Sequence, residues 1–474
     1  MNLLKPATLE FWLPTRSRRS VFLLAIGLPA FFLILEALRV AAASTLGDST
    51  DEAAVQRALK LDPANPALEH RLGLVLFCSS ERPDFASGLG HLRRAAELSP
   101  SEALYWADLA SACEASHDAA CADRSIERAL ELSPMTPRLC WTAANYYLRT
   151  DRRDRALQLF SRLLELDPGY AWPAFQVCLQ MLGAPQALAE SALCASRNPR
   201  LELALVNFLS SRGDNDAAFA AWHRVSAEIG PLSDGAGVPF TYAAAAPYVN
   251  HLIEIGKERE ALSVWADLER LKVIADGRAG ASGRGGADRT DGGGLIFNGG
   301  FEAAPLNSGF DWRYSPSPFL SLEFSNAAAH RGSHSLRLEF TAGRNDEVEP
   351  VYQFVAVDPQ QSYVLSAFVR SDAITSDSGP RLRVQDAFRP SRLNASGPTS
   401  VATSSWHQVR LEFSTGPQTG LVRISLWRPR SRSFPSAIQG VFWLDDVSLT
   451  SASSPASPAG RLEAGNITNP KAKP

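Results

Sequence analysis

The sequence predicts a multidomain chain with an N-terminal transmembrane helix, an all-α solenoid and an all-β sandwich. Three observations carry that expectation. An apolar run from Val21 to Leu35 follows a cluster of basic residues. A phrase ending in proline returns every 34 to 37 residues between Ala58 and Pro168. Past a glycine-rich stretch, the apolar positions change from a spacing of three and four to a spacing of two. At 474 residues the chain is too long for one ordinary core. Its 45% hydrophobic and 20% charged residues exclude extended disorder. A net charge of -3 leaves no basic surplus to hold a nucleic-acid backbone.

At the N-terminus, Lys5, Arg16, Arg18 and Arg19 precede "VFLLAIGLPAFFLIL". Read as an uncleaved signal anchor, residues 21–43 are long enough to span the hydrocarbon, and the flanking arginines keep residues 1–20 cytoplasmic. A cleaved signal peptide would use the small residues Ala41 to Ala43, and a twin-arginine signal would start at Ser17. Pro29, Glu36 and Arg39 weaken a spanning helix. All three readings export the chain beyond residue 45, and the anchor places the protein in an inner membrane, single-pass, with its bulk extracytoplasmic.

Residues 45–271 read as helices. "ALKLDP", "AAELSP", "ALELSP" and "LLELDP" end at Pro63, Pro100, Pro134 and Pro168, spaced by 37, 34 and 34 residues. Proline lacks an amide donor and clashes with a continuing helix, so each closes a unit. Within the units, small residues such as Ala110, Ala122, Ala143, Ala144 and Ala156 let paired helices approach, while Trp106, Leu109, Ile126, Tyr147 and Phe160 fill the groove to the next pair. After Pro168 the pattern degrades, but 201–225 and 248–271 still read as helix pairs that end in a cap near Leu271. The period and these positions resemble tetratricopeptide-repeat proteins, most specifically over residues 64–168. The resemblance implies a curved surface that holds a protein or peptide partner.

The basic stretch "RTDRRDR" (149–155) is expected to be a solvated turn rather than a partner-binding patch. His70, His91, His117, His223 and His251 lack ligand spacing and read as helix-surface residues. The six cysteines all precede the glycine tract. Cys113 and Cys121 flank a short turn where a disulfide is geometrically possible, while small buried residues at helix contacts are the blander reading.

Residues 272–294 hold many glycines and no apolar period, which predicts a flexible linker. Beyond it, 335–340, 351–357, 362–370, 406–413, 421–427 and 441–449 alternate apolar and polar, separated by turns rich in Gly, Pro, Ser and Asp. Many short strands without helical interruption describe an antiparallel β-sandwich over 295–450. The tail, 451–474, is rich in serine, alanine and proline and reads as disordered.

"NGGFE" (298–302), "AHRGSHSLRLEF" (329–340), "YVLSAFVRSD" (363–372) and "FWLDDVSL" (442–449), in that order, resemble the jelly-roll, galactose-binding-like carbohydrate-binding modules grouped around families four, nine and twenty-two. That resemblance implies a structural calcium ion joining the first and last strands. Its ligands would be the carboxylates of Glu302 and Asp445, with carbonyls near Arg331 and Ser333. In the blander reading Glu302 is exposed and Asp445 takes hydrogen bonds. His330 and His334 are explained by the fold rather than by zinc.

Resemblance also implies aromatic rings against sugar faces. Trp312, Tyr314, Trp406, Trp427 and Trp443 are the candidates. Trp443 is placed in the core or at its rim. Trp312, Tyr314 and Trp427, with Arg428, are the better ligand residues. No GxSxG, HExxH or phosphate-loop motif occurs, and no carboxylate pair has a catalytic context, so an enzyme is not expected. The expected function is a membrane-anchored envelope adaptor for exopolysaccharide or cell-wall assembly, with a protein partner on the solenoid and polysaccharide on the sandwich. The runner-up is a protein scaffold whose sandwich is a spacer. A polysaccharide-active enzyme comes third.

Overall fold

The computed structural model describes residues 16–49, 51–78, 84–191, 198–228, 240–275, 294–434 and 436–452. The expectations for the cytoplasmic N-terminus before residue 16, most of the glycine linker, Cys194 and the C-terminal tail lie outside the described residues. The chain divides into two compact units at about residue 197.

The first unit is helical. Its helix α1 (Arg16–Gly47) holds a stretch, Ser20–Gly47, of mean hydropathy 2.5, long and apolar enough to cross a membrane. Most of its side chains between Val21 and Val40 are exposed, and only near its end does Ala43 pack against Ala58 and Leu68. Next come α2 (Glu52–Leu61), α3 (Pro66–Cys78), α4 (Phe85–Leu98), α5 (Ala103–Ala115), α6 (Ala119–Leu132), α7 (Pro137–Arg149), α8 (Arg153–Leu166), α9 (Ala171–Leu182) and α10 (Pro185–Ala189). Pro63, Pro100, Pro134 and Pro168 each fall two residues past a helix end, where the sequence period places them. Aspartates cap the repeats: the side chains of Asp51, Asp84 and Asp118 accept the backbone N–H of Ala54, Ser87 and Cys121. The predicted contact residues are buried except Trp106, which is partly so, with Ala122, Ala143, Ala144, Ala156 and Phe160 fully enclosed.

Two side-chain expectations change here. Cys113 and Cys121 form a disulfide, their Cα atoms 5.7 Å apart across the α5–α6 turn. Three of the five histidines are tied down: His70 meets Asp108 at 2.8 Å, His91 meets Glu69 at 2.6 Å and His251 meets Asn215 at 2.8 Å, while His117 and His223 are exposed as expected.

The second unit begins with α11 (Pro199–Ser211), α12 (Asn215–Glu228), α13 (Tyr242–Glu254) and α14 (Glu258–Arg270), and continues into ten strands. These are β1 (Arg313–Tyr314), β2 (Leu320–Ser325), β3 (Ser335–Arg344), β4 (Val348–Ala356), β5 (Ser362–Ile374), β6 (Arg381–Asp386), β7 (Asn394–Ser396), β8 (Ala402–Ser414), β9 (Leu421–Arg428) and β10 (Ile438–Ser451). They form two antiparallel five-stranded sheets, β1-β4-β9-β6-β7 and β2-β3-β10-β5-β8. Alternation sets what lies between them: Val351, Val355, Ile424, Leu426 and Val384 of the first sheet meet Leu336, Leu338, Leu365, Phe442 and Leu444 of the second.

All six expected strands form. "NGGFE" does not open on a strand. It is a turn beside β10, in which Val447 donates to the Gly299 carbonyl at 2.9 Å and Leu295 to that of Leu449 at 3.0 Å. The amide of Gln353, fully buried on β4, fixes this segment by bonding both the N–H and the carbonyl of Phe297.

The last helix pair packs on the sandwich. Trp265 of α14 is 1% exposed and meets Phe297 and Phe310 edge-on at 5.2 and 5.7 Å. The Tyr242 hydroxyl lies 2.6 Å from that of Ser308, and Asn250 Oδ1 accepts from Gly309 N at 2.9 Å and Arg313 Nη2 at 2.7 Å. Gly309 has φ +61°, and a Cβ there would overlap the Trp265 ring, so glycine is required twice over.

Candidate functional site

The expected ligand residues separate into three groups. The first is core. Trp312 is 1% exposed, leans on Phe301 at 5.2 Å and donates its indole N–H to the Asn298 carbonyl at 2.9 Å, so it offers no free ring face to a sugar. Arg428 is likewise 1% exposed and takes no ligand role. Its guanidinium donates to the carbonyls of Ser378, Asp346 and Ser436 and to Ser376 Oγ, which replaces the water it lost. Tyr314 packs its ring against Phe324 at 5.3 Å, beneath the β1 edge. Trp443 sits at the rim, 9% exposed, with Arg370 over its ring. Trp406 is half-buried on the other sheet, 5.8 Å from His330.

The second group is a clasp between chain ends. Asp445, fully buried on β10, accepts the backbone N–H of His330 at 2.7 Å and Arg331 at 3.2 Å on one oxygen, and that of Asp446 on the other. Glu302 accepts from Ser333 N, Ser333 Oγ and His334 N at 2.7–3.1 Å. Gly332 lies between them at φ +67°, where a side chain would collide with the Glu302 carboxylate. Burial pushes the Asp445 carboxyl up to about 6, against the pull of its amide donors. The hydrogen bonds of Ser333 and His334 outweigh the opposing desolvation and lower that of Glu302. The loop therefore turns N–H groups toward both carboxylates. A calcium ion there would take oxygen ligands, the two carboxylates among them.

The third group lies on the outer face of the first sheet. Trp427 is the member of it that the sequence singled out. Pairing across the sheet aligns Arg313, Tyr352, Ser425, Arg383 and Ser396 in one row. Phe354, Arg423, Gln385 and Asn394 form the next row, and Trp427 stands beside Arg381. Guanidinium groups lie over the rings: Arg423 over Tyr352 at 3.8 Å, Arg383 over Trp427 at 4.4 Å and Arg313 over Phe354 at 5.0 Å. Glu349 bridges Arg383, at 2.6 Å, and Arg423. Glu347 accepts the Trp427 indole N–H at 2.8 Å.

This face is incompletely satisfied. The Nε–H groups of Arg313, Arg381, Arg383 and Arg423 and the hydroxyl of Ser425 are buried without a hydrogen-bond partner among the described residues. Such donors cost about 1–3 kcal/mol each when left unpaired. Desolvation holds the Arg381 guanidinium below its ordinary value. The sequence hid this site because "VYQFVAV" and "LVRISLW" show only parity: Tyr352 with Phe354, Arg423 with Trp427. Register, which a lone strand does not reveal, brings the two pairs together with β6.

No family model matches the chain. Among solved structures, a crystal structure of MamA is 16% identical, covering 37% of this chain and 85% of that one, with a TM-score of 0.25. A structure described as "CBM4 structure and function" is 13% identical over 33% of this chain and 99% of that one, TM-score 0.25. PilF of Pseudomonas aeruginosa is 20% identical over 45% and 94%, TM-score 0.24. By repeat spacing, helix pairing and two-sheet topology, the chain holds a helical region of tetratricopeptide-type pairs followed by an antiparallel two-sheet sandwich.

Proposed function

We propose that this chain is a non-enzymatic adaptor of a bacterial-type envelope, anchored in the inner membrane by α1. Its helix pairs hold a protein partner, and the outer face of the first sheet holds polysaccharide during exopolysaccharide or cell-wall assembly. One observation carries the glycan reading: Tyr352, Phe354 and Trp427 share a face with arginine, serine, glutamine and asparagine side chains in or beside the same rows. Rings, with the guanidinium planes stacked on them here, cover the apolar faces of pyranoses, and polar groups take their hydroxyls. Glu347 and Glu349, the carboxylates on this face, are engaged by Trp427 and by two arginines, which suits holding rather than hydrolysis.

The clasp of Glu302 and Asp445 we read as closed by backbone amides in place of calcium. Adding calcium or a chelator to the purified chain should leave its melting temperature unchanged. A calcium-dependent rise would restore the metal site that the family resemblance implies.

Affinity electrophoresis of the full chain in detergent, through gels holding single polysaccharides, tests the main reading. Retardation by at least one polymer, lost in Trp427→Ala with Tyr352→Ala, is expected. Unretarded migration through a broad panel would leave the sandwich as a spacer, which the packing of Trp265 against it would then favour.

A further inference from the structure

We infer that the polymer held by the first sheet is acidic, a polysaccharide carrying carboxylates. This rests on the glycan reading above and sharpens it. Arg313, Arg381, Arg383 and Arg423 share the face with two carboxylates, Glu347 and Glu349. A neutral sugar would find surplus cations there, desolvated and short of acceptors.

The excess is local, because the groups that could neutralise it are already used or absent. Glu349 is shared by Arg383 and Arg423, so one negative charge serves two positive ones. Arg381 has Thr399 Oγ1 at 3.1 Å and the Trp427 ring at 5.9 Å, both uncharged, and the one carboxylate that acts on it from further off, Asp377, is itself bonded by the Ser431 hydroxyl. Arg313 is held by Asn250 and the Gly309 carbonyl, also uncharged. Guanidinium is the cation that suits a planar carboxylate, through paired N–H donors. The hydroxyl of Ser425, 1% exposed, lies at the centre of the row between Tyr352 and Arg383 without a partner among the described residues. Stacking on Tyr352 and Trp427 orients the guanidinium groups in advance, so that little freedom is lost when a ligand arrives. Asn250, from α13, fixes Arg313 at the end of the row. The last helix pair is thereby a positioning element of the binding face.

The test uses the full chain in detergent and three probes: polygalacturonate, the galactan made by reducing its carboxyl groups, and polyphosphate. Polygalacturonate should bind about tenfold more tightly than the galactan at about 0.1 M salt. The double variant Arg381→Gln, Arg423→Gln should lose that preference without losing its thermal transition. Arg381→Lys, which keeps the charge but not the fork, should retain part of it. Equal binding of polygalacturonate and galactan would overturn the acidic assignment and leave the glycan reading standing. Binding of neither would overturn the acidic assignment, and the panel of gels above would then decide the glycan reading separately. Polyphosphate held as tightly as polygalacturonate would overturn it too, since charge alone would then suffice.

Discussion

Arginine clusters occur in both units of this chain, and they behave in opposite ways. In the α7–α8 turn, Arg149 grips Glu114 with two bonds of 2.6 and 2.7 Å, Arg152 meets Asp123 at 2.6 Å and Arg153 meets Asp151 at 2.9 Å. Each of these three cations has its own carboxylate, while Arg155 of the same stretch donates to the Gln158 amide oxygen. Asp123 also accepts from Tyr146, whose hydroxyl burial and that bond push up to about 12. On the first sheet of the sandwich, Arg383 and Arg423 compete for one carboxylate, and Arg381 and Arg313 have none in contact among the described residues. The difference teaches that arginine density does not mark a site. We read the guanidinium groups that have a carboxylate of their own as holding the fold, and those that share or lack one as the groups the proposed ligand would meet.

The sharpest way to break this distinction is to remove one arginine of each kind. Arg428→Ala should destabilise the chain by about 3–5 kcal/mol, since it removes a buried cation that donates to four acceptors. Arg381→Gln should change stability by less than about 1 kcal/mol, because its burial is poorly compensated already. Denaturant unfolding followed by tryptophan fluorescence measures both.

The same logic applied to anions gives a pH dependence. Asp311 is 1% exposed and has amide donors but no cation among the described residues, and burial raises its carboxyl from 3.8 to about 6. Asp445 is raised to about 6 for the same reason. A folded-state value above the unfolded one means that the native chain binds more protons in that window. Stability should therefore fall as pH rises from about 4 to about 6, by up to about 3 kcal/mol for each group. Asp311→Asn should flatten that fall, and unfolding midpoints across the window would show it.

In the turn, where each arginine is paired but partly exposed, Arg149→Ala and Arg152→Ala should each cost about 1 kcal/mol or less. The smallest effect concerns the sheet. Glu349→Gln frees Arg383 and Arg423 and should tighten binding of an acidic polymer by about threefold. Weaker binding would show that the ion pairs themselves shape the face.

Much of this architecture is legible in the chain itself. Proline spacing fixes the helix pairs because proline ends a helix wherever it falls. Alternation fixes six of the strands because the pleat has a period of two. The strands β1, β2, β6 and β7 escape: β1 has two residues and "NAS" three, and "RLRVQD" carries two apolar residues, whereas "LSLEFS" alternates just as "SLRLEF" does and is open to the same reading. The site is less legible. Trp312 and Trp427 look alike in sequence, but parity and register send the first into the core and the second outward. Arg428 comes directly after Trp427 and therefore faces the other way. Nothing before the glycine tract announces that Trp265 packs against Phe297 and Phe310, because such a contact leaves no periodic trace.

Residue-resolved arginine labelling tests the central distinction most directly. The full chain would be treated with phenylglyoxal, with and without polygalacturonate, and read by mass spectrometry. Protection by the polymer is expected at Arg381 and Arg423, with Arg149 and Arg153 labelled equally in both conditions. Equal labelling of the sheet arginines with and without polymer, or protection of the turn instead, would contradict it.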